Sequence, residues 1–113
     1  MARPAKSFAR RSKYGNIRTV VDGIKFASKA EANRYLVLKE KQRRGEISKL
    51  EMQPKFPITL KGRPICNYLA DFRYCEGDET VIEDVKGMKT AIYRLKKKLT
   101  EAEYGIKITE IQA

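Results

Sequence analysis

The sequence predicts an α/β domain in which a central mixed β-sheet is flanked by two helices. Two stretches have helical character, and each ends at a glycine: residues 28–44 before Gly45, and residues 90–104 before Gly105. Glycine in the left-handed conformation commonly terminates a helix. The remaining chain is rich in β-branched and aromatic residues interrupted by Gly, Pro, Asp and Asn, which is typical of strands joined by turns. Strands interleaved with two helices favour a layered α/β arrangement.

The first predicted elements are a hairpin and a helix. Strand-like residues 17–21 and 24–27 flank the dipeptide Asp22-Gly23, which favours a tight two-residue turn. Ser28 then begins the first helix, because serine is a preferred N-terminal capping residue. This helix is expected to run to Arg44.

Glu31 in this helix allows two interpretations. It stands three residues after Ser28, where a glutamate completes a capping box and needs no other role. At 100° per residue, however, it lies within the apolar stripe formed by Ala32, Tyr35 and Leu38. A glutamate that only caps a helix has no need to face the core. We therefore favour Glu31 as a functional carboxylate.

Several strands are predicted after the first helix. Pro54 and Pro57 interrupt the first two of them, and residues 61–64 form a turn. In the strand that follows, the even-numbered residues Tyr68, Ala70, Phe72 and Tyr74 form a core face, and the odd-numbered residues form a mixed face. The predicted strand bounds are 47–53, 56–60, 67–74, 81–86 and, near the end of the chain, 106–111.

The second helix is predicted to bury an apolar stripe. Its members recur at helical spacing and are Met88, Ile92, Leu95, Leu99 and Ala102. Arg94, Lys97 and Lys98 lie away from this stripe, and Lys96 borders it. A charged run on a helix is most often a solvated face. Because Lys89 and this run follow the strand of Lys86 directly, we favour contact with phosphate.

Length and charge favour one small domain with a polyanionic partner. The chain has 113 residues, 42% of them hydrophobic, which is enough for one modest core. No apolar run approaches the roughly 20 residues that span a bilayer, so we expect a cytoplasmic protein without a membrane partner. The net charge of +11 favours nucleic acid. We predict a basic flexible arm over residues 1–15 and a single folded domain over residues 16–113.

The absence of histidine removes many catalytic options. It excludes histidine-metal nucleases, Ser-His and Cys-His nucleophile systems and histidine-based ribonuclease chemistry. Cys66 and Cys75 lack metal-ligand spacing and are expected to be reduced thiols. Any catalytic metal must therefore be held by oxygen ligands, which favours Mg²⁺ or Mn²⁺.

Two acids and a lysine are expected to converge near a strand end. Asp84 and Lys86 are two residues apart in a strand and therefore share a face. If the strands of Asp71 and Asp84 pair as a hairpin, the two carboxylates come level. Crowded carboxylates raise each other's pKa, and a divalent cation between them removes that cost. Alternatively, Arg73 pairs with Asp71 as a simple ion pair.

Five short phrases follow one another along the chain: Lys13-Tyr-Gly-Asn, Phe26-Ala-Ser-Lys-Ala-Glu31-Ala, Leu50-Glu-Met-Gln-Pro-Lys-Phe56, Tyr68-Leu-Ala-Asp-Phe72 and Glu83-Asp-Val-Lys-Gly87. In this order they resemble the PD-(D/E)XK nuclease superfamily. Within it they are most similar to a bacteriophage family of small, largely uncharacterised proteins akin to phage junction-resolving endonucleases. The usual proline before the first acid is Ala70 here. Glu83 stands beside Asp84, so which of the two is the second metal ligand stays open.

The resemblance implies a restriction-endonuclease-like core and a Mg²⁺- or Mn²⁺-dependent DNA endonuclease. Asp71, Asp84 and Glu31 would hold the metal, and Lys86 would act on the water or the phosphate. Gln53 and Lys55 are possible auxiliary residues, although an ordinary role on an edge strand is at least as consistent with their positions. The relatives also suggest branched DNA or Holliday junctions as substrates, in phage DNA recombination or processing.

DNA and a second copy of the chain are the expected partners. A homodimer would supply two sites for two strands, and the hairpin at residues 17–26 is a candidate interface. The alternative function is a non-catalytic nucleic-acid-binding protein that retains the fold. A protein that contacts an acidic partner would explain the charge but not the acids. The cations expected to contact DNA are Arg10, Arg11, Lys13, Lys89, Arg94, Lys97 and Lys98.

Overall fold

The computed structural model describes residues 18–113. The predicted basic arm, with Arg10, Arg11 and Lys13, lies outside the described residues. The predicted α/β class, with a mixed central sheet and two helices, is confirmed. The elements are β1 (Thr19–Val21), β2 (Ile24–Phe26), α1 (Lys29–Arg43), β3 (Ser48–Met52), β4 (Lys55–Leu60), β5 (Arg63–Leu69), β6 (Phe72–Glu76), β7 (Glu79–Lys86), α2 (Ala91–Tyr104) and β8 (Ile108–Gln112).

The central sheet has four strands in the order β3-β6-β7-β8. β6 pairs antiparallel with both β3 and β7, whereas β7 and β8 are parallel. Parallel neighbours need a long crossover connection, and α2 supplies it. Neither helix of the described region is long and apolar enough to cross a bilayer.

A bent antiparallel ribbon extends from this sheet. β4 and β5 pair with each other through the turn at Lys61 and Gly62, whose φ angles are 51° and 78°. The pairing continues into β3 and β6, because the Gln53 amide donates to the Asp71 carbonyl at 2.8 Å and the Ala70 amide donates to the Pro54 carbonyl at 3.1 Å. The ribbon bends at this point, where Gln53 has a positive φ of 57°.

The structure of the ribbon differs from the sequence prediction in three details. The single strand expected over residues 67–74 is divided between β5 and β6 at Ala70 and Asp71. The predicted turn at residues 61–64 is shorter, since β5 begins at Arg63. Pro57 lies within β4 rather than interrupting it, which is possible because a two-stranded ribbon has edges where a missing N–H leaves no donor unpaired.

The core consists of two clusters on opposite faces of the sheet. Side chains alternate along β7, so Val81 and Val85 face α1 whereas Ile82 faces the ribbon and α2. The cluster under α1 contains Phe26, Ala32, Tyr35, Leu38, Ile47, Phe72 and Tyr74. The other contains Phe56, Ile58, Tyr68, Ala70, Ile82, Tyr93 and Ile108. The predicted inward stripe of the first helix, including Glu31, is confirmed.

The β1–β2 hairpin packs against α1 of its own chain. Asp22 and Gly23 have φ angles of 54° and 77°, as the predicted tight turn requires. The Tyr35 hydroxyl donates to the Asp22 carboxylate at 2.8 Å, and Lys39 also pairs with that carboxylate. Phe26 is buried beneath the helix. The apolar side of the hairpin is therefore largely used within one chain.

The predicted buried stripe of the second helix is wrong. Met88, Ile92, Leu95 and Leu99 are 69%, 63%, 53% and 37% exposed, and Ala102 is exposed as well. The inner face of α2 is instead formed by other residues, described next.

Two tyrosines hold α2 against the ribbon. The Tyr104 ring meets Phe56 edge-on at 5.2 Å, and its hydroxyl donates to the Pro57 carbonyl at 2.6 Å. The Tyr93 ring lies 6.4 Å from Tyr68. Aromatic rings with satisfied hydroxyls pack at least as well as aliphatic side chains. This inner face leaves the aliphatic stripe turned outward.

Candidate active site

The candidate site lies where the ribbon leaves the central sheet. β6 pairs with β7 as far as Phe72 and Glu83, and the Asp71 amide still donates to the Glu83 carbonyl at 3.0 Å. Beyond that point the ribbon bends away. The Val85 amide then donates to the Asp71 carboxylate at 2.7 Å instead of to a neighbouring strand. The resulting fork places Asp71 beside Asp84.

Three carboxyl groups meet in this fork. The Asp71 side chain lies next to both Glu31, on α1, and Asp84, on β7, close enough for each to affect its pKa. Asp84 and Glu31 are only 1% and 6% exposed. The expected convergence of Asp71, Asp84 and Glu31 is therefore present, in what we call the carboxyl cluster.

Burial and mutual repulsion make the carboxyl cluster weakly acidic. Burial, followed by the charge of Glu31, raises the pKa of Asp71 to about 6. Burial, with a further contribution from Asp71, raises the pKa of Asp84 to about 7. Burial also raises the pKa of Glu31. Because each ionised carboxylate disfavours the next, the cluster retains protons at pH values where isolated carboxyls have lost them.

Lys86 is the cation of the carboxyl cluster. Its Nζ lies 3.6 Å from Asp84 Oδ1, which confirms that these two side chains share a face of β7. The ammonium also sits 4.5 Å from the centre of the Tyr93 ring. Its side chain is 31% exposed, so the charge lies between the buried acids and solvent.

Tyr68 is a member of the site that sequence reasoning missed. Its hydroxyl donates to Asp84 Oδ2. Alternation along the strand correctly assigned Tyr68 to the core, and it is 3% exposed. A buried tyrosine hydroxyl needs a hydrogen-bond partner, and that requirement was the signal available in the sequence. Burial and the Asp84 carboxylate both raise the pKa of Tyr68, so the phenol stays protonated and donates.

Glu83 is engaged on the opposite face of β7. Arg34 binds it with two hydrogen bonds, Nε to Oε1 at 2.8 Å and Nη2 to Oε2 at 2.7 Å, and the Tyr74 hydroxyl donates to it as well. Glu83 is 2% exposed. Of the two adjacent acids left open by the sequence, Asp84 is therefore the one that faces Asp71 and Lys86.

Three other residues considered from the sequence lie around the fork in different ways. Arg73 pairs with Glu51 at 2.6 Å, so the alternative ion pair with Asp71 is not formed. The Gln53 side chain donates to the Lys25 carbonyl at 3.3 Å, and Lys55 is exposed on the outer face of the ribbon. An auxiliary role for Gln53 and Lys55 stays a prediction.

The predicted DNA-binding cations of the second helix region divide into two groups. Lys89 and Lys97 lie 2.9 and 3.5 Å from Glu110. Hydrogen bonds from Lys89 and then Tyr93 hold the pKa of Glu110 at about 2. Arg94 and Lys98 are exposed on α2. Arg94 and Lys98 therefore present their charge directly to solvent, whereas the charge of Lys89 and Lys97 is partly neutralised by Glu110.

A cleft of about 270 Å³ connects the site to solvent between the ribbon and α2. Tyr68, Lys86 and Tyr93 belong to its lining, so it gives access to the lysine side of the carboxyl cluster. Leu69, Ile92 and Lys96 also line it, and all three are at least partly exposed.

The fit of a divalent cation depends on how many protein ligands it requires. Within residues 18–113, no three His, Cys, Asp or Glu side chains are placed so that they could hold a metal ion as they stand. Mg²⁺ is usually bound by one or two carboxylates and completes its shell with waters and substrate phosphate oxygens. The adjacent Asp71 and Asp84 carboxyls fit that requirement without a third ligand.

Fold and site together define a class of protein: a small basic α/β domain with buried carboxyls and one lysine at the fork of a bent sheet. The chain belongs to the family described as protein of unknown function DUF1064, whose model matches residues 11–112. No curated protein and no solved structure matches the sequence.

Proposed function

We propose that this protein is a Mg²⁺- or Mn²⁺-dependent DNA endonuclease that hydrolyses phosphodiester bonds. The observation that carries the proposal is the contact among Glu31, Asp71 and Asp84 beside Lys86 in the fork. The buried Glu31 and Asp84 and the half-buried Asp71 all have raised pKa values, and such acids destabilise a folded domain at neutral pH. A bound divalent cation offsets that cost, and it also gives the cluster a chemical use.

In this proposal Asp71 and Asp84 hold the cation, and Tyr68 fixes the orientation of the Asp84 carboxylate. A divalent cation at this position supplies Lewis-acid polarisation of a phosphate and acidification of water. Lys86 either orients or deprotonates the attacking water, or donates to a phosphate oxygen on which charge develops. Its position between the acids and the cleft suits each of these roles.

Glu31 has two possible parts in the same chemistry. It lies next to Asp71, and its charge raises the pKa of that residue, so it either joins the ligands directly or sets the protonation and orientation of Asp71. Glu31→Gln separates the two roles. A direct ligand would lose metal affinity strongly, whereas a residue that acts through Asp71 would lose turnover with little change in the concentration of Mg²⁺ needed.

The proposed substrate is branched DNA, such as a flap or a Holliday junction, in phage DNA recombination or processing. The net charge of +11 supports a polyanionic substrate. The exposed Arg94 and Lys98 support backbone contact outside the cleft. A preference for branched structures rests on the resemblance to junction-resolving nucleases.

The test is a cleavage assay across duplex, flap and four-way-junction DNA with Mg²⁺, Mn²⁺ or chelator. We expect metal-dependent cleavage by the wild type and none by Asp71→Asn, which should bind DNA at least as tightly because a negative charge has been removed. Asp78→Asn, in an exposed turn, is the matched control and should cut normally. Cleavage by Asp71→Asn at the wild-type rate, or in excess chelator, contradicts the proposal. DNA binding without cleavage under any metal would identify a non-catalytic binding protein instead.

A further inference from the structure

The cleft beside the carboxyl cluster has two exposed aliphatic walls. Leu69, on the ribbon, and Ile92, on α2, are 59% and 63% exposed, and both belong to its lining. Tyr68 and Tyr93 also line the cleft but are buried, so they form its floor. Aliphatic side chains that stay exposed on the two sides of one cleft can hold a flat apolar group between them.

The same cleft is positively charged. Lys86 and Lys96 line it, and of the described residues that do so none is acidic. Lys86 joins the cleft to the carboxyl cluster, because its Nζ lies 3.6 Å from Asp84 Oδ1. Asn67 adds an exposed amide, which can both donate and accept a hydrogen bond. A ligand that fits this lining therefore has an apolar plane, a polar edge and a negative charge.

A nucleotide has these three features, and the cleft is large enough for one base. Its volume of about 270 Å³ is close to the lower limit of roughly 300 Å³ for small-ligand sites. A paired duplex keeps its bases stacked and presents sugars and charged phosphates on its outside. Leu69 and Ile92 would find no apolar partner on that surface. Leucine and isoleucine side chains contact bases where they enter between unstacked base steps.

We propose that this cleft binds one unpaired nucleotide of the DNA substrate, next to the phosphate that is cut. The base lies between Leu69 and Ile92, and the adjoining phosphate lies at Lys86. The inference rests on the proposed nuclease function and adds a requirement that the resemblance does not supply, namely an unpaired nucleotide at the cut, as in a bulge or a flap. A four-way junction with fully paired arms should be a poorer ligand than one with an unpaired nucleotide at its centre.

Binding of the full chain to DNA in chelator, where no cleavage is expected, tests the proposal separately from the nuclease function. Four probes form two matched pairs: a paired duplex and the same duplex with one bulged nucleotide, and a fully paired four-way junction and the same junction with one unpaired nucleotide at its centre. Each unpaired probe should bind at least about 10-fold more tightly than its paired counterpart, because a paired base must first be unstacked and unpaired.

Variants of the two aliphatic walls test where the base lies. Leu69→Ala and Ile92→Ala should each lower the preference for the unpaired probes about 5-fold, because each loses apolar contact with one base. Binding of the paired duplex should not change. Leu60→Ala, at a residue of the same ribbon that is 64% exposed, and Leu36→Ala, at an exposed residue of α1, are the matched controls and should keep the wild-type preference.

Salt dependence separates the apolar contact from the phosphate contact. Lys96→Ala should weaken binding of all four probes and flatten its salt dependence, since fewer counterions are released. Leu69→Ala and Ile92→Ala should leave the salt slope as it is in the wild type, because an apolar contact with a base releases none.

Three results would overturn the proposal: equal binding of paired and unpaired probes by the wild type, an unchanged preference in both Leu69→Ala and Ile92→Ala, or an equal loss in Leu60→Ala. A preference that both wall variants lose, in a protein that cuts no probe with Mg²⁺ or Mn²⁺, would support the nucleotide site and contradict the nuclease. Metal-dependent cleavage without any binding preference would support the nuclease and overturn the nucleotide site.

Discussion

Removing the Asp71 carboxyl should stabilise the metal-free protein at alkaline pH. The pKa of Asp71 rises from 3.8 to about 6 on folding, a difference that corresponds to ~3 kcal/mol at a pH where the group is ionised in both states. The hydrogen bond from the Val85 amide lowers this pKa and is already included in it. Asp71→Asn, which resembles the protonated acid, should therefore gain about 3 kcal/mol at pH 8.

The pH dependence has a definite sign. A carboxyl whose pKa is raised in the folded state keeps its proton to a higher pH than in the unfolded chain. The free energy of unfolding then falls as pH rises, here from about pH 4 to about pH 7, the values between which Asp71 and Asp84 change protonation on folding. Glu110, whose pKa is lowered from 4.5 to about 2, adds stability as pH rises between these two values, so it opposes the fall only at the lower end of the window. The advantage of Asp71→Asn should vanish by about pH 4.

Urea and thermal unfolding in chelator, between pH 4 and 8, measure this effect. A gain of about 3 kcal/mol corresponds to roughly 9–15 °C in Tm for a domain of this size. Asp78→Asn changes the same charge in an exposed turn and should match the wild type. Added Mg²⁺ should stabilise the wild type at pH 8 and stabilise Asp71→Asn much less. Wild-type stability that is flat or rising between pH 5 and 8 in chelator would refute the reasoning.

Three further predictions concern other parts of the molecule. Lys86→Ala should lower turnover at least about 100-fold with little change in metal affinity. Lys98→Ala should instead weaken DNA binding and leave the turnover of bound DNA unchanged. Retained turnover with lost DNA binding in Lys86→Ala would make Lys86 a phosphate anchor. Tyr68→Phe should lower turnover about 10-fold and should raise the pKa of Asp84, because it removes the donor that stabilises ionised Asp84. Unchanged kinetics would indicate that Tyr68 contributes only packing. Deleting Met1 to Ser12 should weaken binding to all DNA sequences alike and flatten its salt dependence, and an unchanged salt slope would argue that the arm is only a solvated tail.

Strand periodicity predicted much of the carboxyl cluster. Asp84 and Lys86 share a face because side chains alternate along a strand, and this rule needs no tertiary information. Helical periodicity likewise predicted that Glu31 faces inward, since 100° per residue fixes its direction relative to Tyr35. The functional roles of these residues stay predictions.

The bend in the ribbon could not be predicted from alternation. The even-numbered residues from Tyr68 to Tyr74 are buried on both sides of Asp71, so the pattern continues while the strand changes its neighbours. Only the partner strands show where the chain leaves the sheet. The same limit explains why the sequence left Glu83 and Asp84 unresolved: the answer depends on Arg34, which is 49 residues away.

The prediction of which face of α2 is buried failed for a different reason. Helical spacing identifies a stripe of aliphatic residues but not what the stripe contacts. The Tyr104 ring and hydroxyl both contact the ribbon, whereas Tyr93 packs its ring against Tyr68 of the ribbon and donates its hydroxyl to Glu110 on β8. These two residues therefore form the inner face. In α1, by contrast, Ala32, Tyr35 and Leu38 at helical spacing are buried as predicted.

The ribbon also connects the candidate site to a distant point on the surface of the protein. It is attached to the central sheet at Asp71, and its distal turn at Lys61 and Gly62 projects into solvent, with open space around Gly62. Tyr68 belongs to the ribbon and Asp71 to its junction with the sheet, while Asp84 belongs to β7 of the sheet. A force applied at the turn of Lys61 and Gly62 therefore acts on the contacts between the ribbon and the central sheet. A receptor domain inserted between Lys61 and Gly62 would couple the binding of its own ligand to the proposed nuclease activity.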